Sequence, residues 1–251
     1  MVLSKRERVI RTLELEEPDI IPIFTLGFEF SGTAYQSFKK SEEYKECKTY
    51  IKNNFSRRRY KWAGSITQLR FFNVDCFLMD PFKKLKSLLP FAAGPPEYPN
   101  YIINVFNGSL FKLTTIEETG LPYPWYIDGY FKTPEILHKY WEKYGKPSEW
   151  INNKTNYSPQ IWDEYVKSLE PYLYPMASLP IAMHESLIEG MTMGRVAYFM
   201  RKNPQFIHQV MSEYTKTNIE IVKRLAEAGV DIVFYLDDLG QKERSILSLK
   251  S

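Results

Sequence analysis

The sequence predicts an α/β fold built on a parallel sheet, and three features predict it. Residues 203–240 read as a long amphipathic helix, a glycine stop, an apolar strand and two adjacent carboxylates, Asp237 and Asp238. Val74-Asp75-Cys76-Phe77-Leu78-Met79-Asp80 repeats that logic: an Asp, an apolar strand, then an Asp. Core strands near 20–24, 74–79, 173–179 and 231–236 alternate with helical segments. Strand, crossover helix and strand in alternation imply parallel strands joined by right-handed connections. Four such units are the first half of an eight-stranded barrel, so the expected architecture is a partial (β/α)8 TIM barrel with an inserted β-hairpin.

Each element follows from its residues. Ser4 opens a short helix, SKRERVIRTLELEE, with Glu7 as its capping-box partner and Val9, Ile10 and Leu13 on its apolar side. Pro18-Asp19 turns the chain into Ile20-Ile21-Pro22-Ile23-Phe24, a strand whose proline marks a strand start or an edge. A glycine-flanked loop carrying Glu29 follows. Residues 41–63 have a charged helical pattern, and a second helix carries Ile66, Leu69 and Phe72. Pro90 to Pro99 reads as a proline-rich loop, and Tyr101 to Thr115 as a hairpin around Asn107-Gly108. Thr133-Pro134-Glu135 and Tyr157-Ser158-Pro159 start further helices, the second running to Glu170. Leu173 to Ile181 holds the third strand, interrupted by Pro175 and Pro180, with helices after it at 184–190 and 192–202.

The last unit is the clearest. Asn203 caps the long helix, and Pro204 fits its first turn, where the missing N–H has no intrahelical partner. Ile207, Val210, Met211, Tyr214, Ile221, Val222 and Leu225 recur at spacings of three, four and seven, forming one apolar stripe. Gly229 supplies the left-handed stop. The run from Asp231 to Leu236 is apolar without alternation, as a strand covered on both faces is. No internal repeat or low-complexity linker divides the chain, so one domain over 1–251 is the economical reading.

Composition excludes several classes. Hydrophobic residues make up 44% and charged residues 25%, an ordinary globular balance rather than a disordered one. A net charge of +3 argues for neither nucleic acid nor a membrane surface as partner. Cys47 and Cys76 form no disulfide framework and no CxxC pair, and His138, His184 and His208 lack metal-site spacing. The charged N-terminus is no signal peptide and no apolar run reaches membrane length, so a reduced, cytoplasmic protein is expected.

In parallel α/β folds the chemistry lies at the C-terminal ends of the strands. Asp237 and Asp80 stand there as candidate catalytic groups, with Glu29, Asp238 and His184 as candidate substrate-binding groups. Asp237 and Asp238 point to opposite sides if the strand continues, so one of them faces inward, and Asp237 is the choice. A loop or helix-capping role is the competing reading for Asp237, a cap or packed residue for His184, and an exposed loop acid for Glu29. No residue reads as a metal ligand.

Four stretches resemble the uroporphyrinogen decarboxylase superfamily. SKRERVIRTLELEEPDIIPI is similar to its opening R-x-R-V-x-x-A-L-x-x-x-x-P-D-R-x-P run. SLPIAMHESLIEGM is similar to its G-A-P-x-T-L-x-x-Y-x-x-E-G segment through Pro180, Glu189 and Gly190. NPQFIHQVMSEYT resembles its D-P-E-x-V-H-x-L-L helix, and EAGVDIVFYLDDLG its A-G-A-D-x-x-x-x-x-D-x strand end. The resemblance runs through essentially the whole chain and implies a full α/β barrel. It offers two activities. True decarboxylases remove carboxyl groups from an octacarboxylate tetrapyrrole without a cofactor. The other branch transfers a methyl group from a corrinoid to a thiol that zinc holds as thiolate.

The decarboxylases' R-Q-A-G-R segment, whose arginines suit substrate carboxylates, is replaced here by Leu26-Gly27-Phe28-Glu29-Phe30. Their tyrosine in the middle segment falls on Ser186, and their aspartate after the second strand corresponds to Asp80 across a small gap. The methyltransferases' His-x-Cys and later Cys belong to the second half of the barrel, which this chain lacks. The expected protein thus derives from a corrinoid-dependent methyltransferase; zinc and a corrinoid methyl donor are implied for a full-length relative, with no cofactor assigned to this chain. A small molecule or a corrinoid protein is the expected substrate. The alternatives are a uroporphyrinogen decarboxylase, an inactive C-terminally truncated product, and a non-catalytic split-barrel subunit that associates through the open barrel edge.

Overall fold

A computed structural model describes residues 2–25, 36–54, 73–79, 91–117, 122–153, 163, 166–167 and 173–240. In chain order the elements are α1 (Lys5–Leu13), β1 (Phe24–Thr25), α2 (Glu42–Asn54), β2 (Cys76–Met79), β3 (Phe91–Ala93), β4 (Ile102–Asn104), β5 (Ser109–Thr115) and β6 (Pro122–Gly129). There follow α3 (Pro134–Tyr144), α4 (Pro147–Asn153), β7 (Tyr174–Ser178), α5 (Met183–Met191), α6 (Met193–Lys202), α7 (Pro204–Glu227) and β8 (Ile232–Phe234). The chain is mixed α/β and falls into two compact units. Helical segments expected over 55–72 lie outside the described residues, as does most of the one expected over 157–170.

The first unit comprises 1–80, 157–178 and 223–234. It carries a four-stranded sheet in the order β1-β2-β7-β8, every pair parallel. The register places Phe24 beside Cys76, Cys76 beside Tyr174, Met176 beside Ile232 and Ser178 beside Phe234. Phe24 and Phe234, on the two outer strands, therefore share one face of the sheet. Their ring centroids are 5.4 Å apart. Strands three spacings apart in a flat sheet stand roughly 14 Å from each other, and side chains leave a sheet nearly perpendicular to it. The rings meet because the sheet curls. Val9 of α1 packs with Cys76, Tyr174 and Met176 in a core cluster that Ile10, Ile232 and Phe234 join.

The N-terminal motif is explained here by structure rather than by chemistry. Ser4 and Glu7 close the capping box of α1. Arg8, buried in the same helix, donates through Nε to Asp19 Oδ1 at 2.7 Å and through its guanidinium to the fully buried Asp75. The other oxygen of Asp75 accepts the Ile23 N–H at 2.8 Å. One arginine thus joins the helix, the turn after it and the start of β2. The hydrogen bond from Arg8 holds the Asp19 carboxyl far below the usual carboxylate range, and the same pairing raises the Arg8 guanidinium. Arg6 pairs with Asp231 and lies 5.1 Å from the ring centroid of Tyr174, whose hydroxyl donates to Asp231 at 2.8 Å.

The second unit comprises 81–156, 179–222 and 235–251. It corrects the expectation of a lone inserted hairpin. The turn at Asn107-Gly108 does join β4 to β5, with Gly108 at φ 81°, but the pair is the middle of a four-stranded antiparallel sheet, β3-β4-β5-β6. β3 lies within the stretch read as a proline-rich loop, and β6 contains Pro122 and Pro124. Their cause is position: among the described strands β6 pairs only with β5, and proline is tolerated in an edge strand because its missing N–H removes no ladder bond on the open side.

Helix α5 lies close against this sheet. A Cβ on Gly190 would stand 2.0 Å from the Asn107 carbonyl oxygen, and one on Gly129 would stand 2.3 Å from the Gly190 carbonyl. Only glycine fits at either point. Asn107 Nδ2 donates to Glu189 Oε2 at 2.9 Å, and the Tyr126 hydroxyl donates to the Glu189 carbonyl at 3.1 Å. Glu189 and Gly190, prominent in the sequence motif, thus dock a helix.

Asn203 accepts the Phe206 N–H at 3.3 Å at the start of α7, and Gly229 follows its end at φ 79°. Val210, Tyr214, Ile221 and Leu225 of the expected stripe are buried, whereas Val222 is partly exposed. The strand after α7 is shorter than expected. β8 ends at Phe234, its residues are only half-buried, and Tyr235 and Leu236 are exposed. An apolar run without alternation marked an outer strand here, which among the described strands pairs only with β7.

Candidate functional site

Two segments build the candidate site, both in the second unit: 179–182, which leads from β7 into α5, and 235–238, which leaves β8. The first is held by Asn218 of α7, whose buried Nδ2 donates to the Ile181 carbonyl at 2.8 Å. At its end the chain enters α5 through Ala182, which has no side-chain oxygen to cap the helix. The opening N–H groups of a helix lack intrahelical partners and need acceptors from elsewhere.

Those acceptors come from the second segment. The Tyr235 hydroxyl accepts the Met183 N–H at 2.6 Å. Asp237 accepts the His184 N–H through Oδ2 at 2.9 Å and the Glu185 N–H through Oδ1 at 2.8 Å. The Tyr235 hydroxyl donates in turn to Asp237 Oδ2 at 2.9 Å. A carboxylate at this position is also favoured by the positive end of the helix dipole. Both oxygens of Asp237 are therefore engaged in holding the first turn of α5. Partial desolvation, followed by the bond to Asp237, pushes the Tyr235 hydroxyl up to about 12 despite the opposing Met183 contact.

His184 is buried, and its Nδ1 lies 2.7 Å from the Asp238 carbonyl oxygen. A carbonyl can only accept, so Nδ1 carries the hydrogen in this contact. Nε2 is buried and has no hydrogen-bond partner among the described residues. Glu185, one residue on, is half-buried. Burial pushes its carboxyl up, and the neighbouring Glu189, Asp238 and Asp237 add to the effect. Asp238 keeps an exposed side chain with no hydrogen bond or ion pair among the described residues. Glu185 and Asp238 are thus the two carboxyl groups of the cluster open to a new partner.

The structure brings together three of the expected site residues, Asp237, Asp238 and His184. It gives Asp237 the helix-capping role that competed with a catalytic one. Asp80 and Glu29 lie outside the described residues. Sequence reasoning missed Glu185 and Tyr235. Glu185 carried a usable signal, a second titratable group beside His184 in a helix's first turn. Tyr235 looked like one more apolar residue of a strand.

Among the described residues no three His, Cys, Asp or Glu side chains stand together as metal ligands, and no helix is long and apolar enough to cross a membrane. Cys47 and Cys76 are both buried, and burial pushes the Cys76 thiol up to about 11, away from thiolate reactivity. Comparison of the chain with protein-family models, curated proteins and solved structures gives no match.

Proposed function

We propose that the chain is a barrel-type protein of the uroporphyrinogen decarboxylase superfamily, on its methyltransferase branch, and that it moves a methyl group from a corrinoid to a thiol. The observation that carries the barrel reading is the contact between Phe24 and Phe234. Side chains of the first and last strands of a four-stranded parallel sheet meet on its concave face, as they do when strands curl toward a closed barrel. The order β1-β2-β7-β8 supports it, because each parallel strand adds to one side of its predecessor. The four sequence stretches similar to the superfamily supply the family.

Charge favours the methyltransferase branch. Glu185 feels Glu189, Asp238 and Asp237 around it, a setting that repels an octacarboxylate tetrapyrrole and suits a neutral or cationic thiol. The donor set for zinc does not fit: the described residues hold no three-ligand cluster, and both cysteines are buried. No step is therefore routed through that metal. Glu185 and Asp238 are the groups available to take the proton a thiol must lose. Sulfur then bonds the methyl carbon, the cobalt–carbon bond breaks, and its electron pair stays on cobalt. Thiol and methyl-cobalt(III) become thioether, cobalt(I) and a proton. The two buried free cysteines suit a reducing, cytoplasmic setting.

The test is an anaerobic incubation with methylcobalamin and cysteamine, a cationic thiol. S-Methylcysteamine and the cobalt(I) absorbance are expected to form faster than without protein. The E185Q/D238N variant is expected to lose about 100-fold, the usual scale for removing a general base. Equal rates with and without the protein would refute the assignment. Decarboxylation of uroporphyrinogen by the same sample would move the chain to the other branch.

A further inference from the structure

A second site lies in the antiparallel-sheet unit, apart from the residues above. Between helix α3 and the loop at Pro95–Glu97 the surface encloses a pocket of about 340 Å³, within the range of small-molecule sites. Its walls are rings. Tyr140, buried, stands 6.0 Å from Tyr130 and 4.7 Å from Tyr144 by ring centroids, and the buried Pro95 closes the far side. Two lysines one helical turn apart, Lys139 and Lys143, complete the lining from α3. Lys143 Nζ lies 5.0 Å from the Tyr144 ring centroid. The one carboxylate of the lining, Glu97, is near enough to Tyr130 to add to the rise that burial gives its hydroxyl.

We propose that this pocket binds a planar aromatic anion, its ring against the tyrosine wall and its carboxylate or phosphate on Lys139 and Lys143. Ring faces and edges carry opposite partial charges, so an aromatic body gains from the offset and edge-on contacts that Tyr130, Tyr140 and Tyr144 already make with one another. Two ammonium groups against a single carboxylate leave the rim net positive. A neutral ligand would use the walls and leave the lysines solvated; an aliphatic anion would use the lysines and leave the walls bare. Only an aromatic anion uses both.

Isothermal titration calorimetry with 2-naphthoate and its neutral counterpart 2-naphthamide tests this on the intact chain. Saturable binding of 2-naphthoate is expected, with 2-naphthamide about tenfold weaker, the factor that corresponds to about 1.4 kcal/mol. The K139M/K143M variant changes two exposed side chains and is expected to melt as the parent does while losing that preference. Tyr144→Ala is expected to weaken both ligands. Equal affinity for the two ligands, or a preference that survives loss of the lysines, would overturn the proposal. So would the absence of saturable 2-naphthoate binding at millimolar concentration, or affinities untouched by Tyr144→Ala.

Discussion

Asp237 accepts the backbone N–H of His184 at 2.9 Å and, through its other oxygen, that of Glu185 at 2.8 Å. A carboxylate more than fifty residues away in sequence thus caps a helix whose own N-cap is alanine. Removing such a cap typically costs about 1 kcal/mol, and up to about 2 kcal/mol. Asp237→Ala is expected to lower the urea midpoint accordingly with an unchanged slope, and Asp237→Asn, which keeps an acceptor oxygen, to lose less. A wild-type midpoint for Asp237→Ala would show that the cap contributes nothing.

Arg8 is the sole guanidinium on the fully buried Asp75 among the described residues. Arg8→Ala leaves that carboxylate buried and unpaired, a change worth roughly 3–5 kcal/mol. Chemical denaturation should therefore find Arg8→Ala among the most damaging single substitutions in the first unit.

The partner Asp19 gives the chain a dependence on acid. The hydrogen bond from Arg8 lowers its folded-state value, while an unfolded aspartate titrates near about 4. A lowered carboxylate adds stability above its unfolded value, and that stability is lost as pH falls toward the folded one. Melting temperatures measured from pH 6 down to pH 2 should fall more steeply for the wild type than for Asp19→Asn. Parallel curves would mean that the Arg8 pairing does not distinguish folded from unfolded Asp19.

Glu185 has the opposite sign. Its raised folded value, set first by burial and then by Glu189, Asp238 and Asp237, means that ionisation opposes folding as pH rises through and above the unfolded value of about 4.3. Glu185→Gln should therefore melt higher than the wild type at pH 7 and match it at pH 3. A variant less stable than the wild type at pH 7 would indicate that the Glu185 carboxylate is stabilised by contacts rather than crowded by charge.

Gly190→Ala would drive a Cβ to 2.0 Å from the Asn107 carbonyl oxygen, backbone that cannot rotate away. Overpacking of this kind costs typically about 1–3 kcal/mol, and backbone against backbone belongs at the upper end. Loss of cooperative melting, or a midpoint lowered by that amount, is the expected result; alanine tolerated without cost would mean that α5 stands off the sheet.

The strongly patterned elements were legible in the sequence. The Asn203 cap, the stripe through Val210, Tyr214, Ile221 and Leu225, and the Gly229 stop all describe α7, because these signals are local. The antiparallel sheet was legible only at Asn107-Gly108. β3 and β6 lie among prolines, and an edge position that tolerates proline is a fact about neighbours, not about the strand itself. At the site, Asp237, Asp238 and His184 do lie together, and Asp237 caps a helix, the reading that the sequence left open beside a catalytic one. Nothing at Asp237 announces that Ala182, far back in the chain, needs a cap. Arg8, Asp19 and Asp75 show the same limit: three unremarkable charges until the chain brings the two carboxylates onto one buried guanidinium.

The curl of the parallel sheet is the geometry on which the barrel reading stands, and one contact reports it. Selective labelling of the phenylalanine rings, with assignment through Phe24→Leu and Phe234→Leu, allows a nuclear Overhauser measurement between Phe24 and Phe234. Rings with centroids 5.4 Å apart should give a direct cross-peak that disappears in either variant. A flat sheet would hold these outer strands roughly 14 Å apart; assigned resonances for both rings with no cross-peak between them would contradict the barrel-type arc.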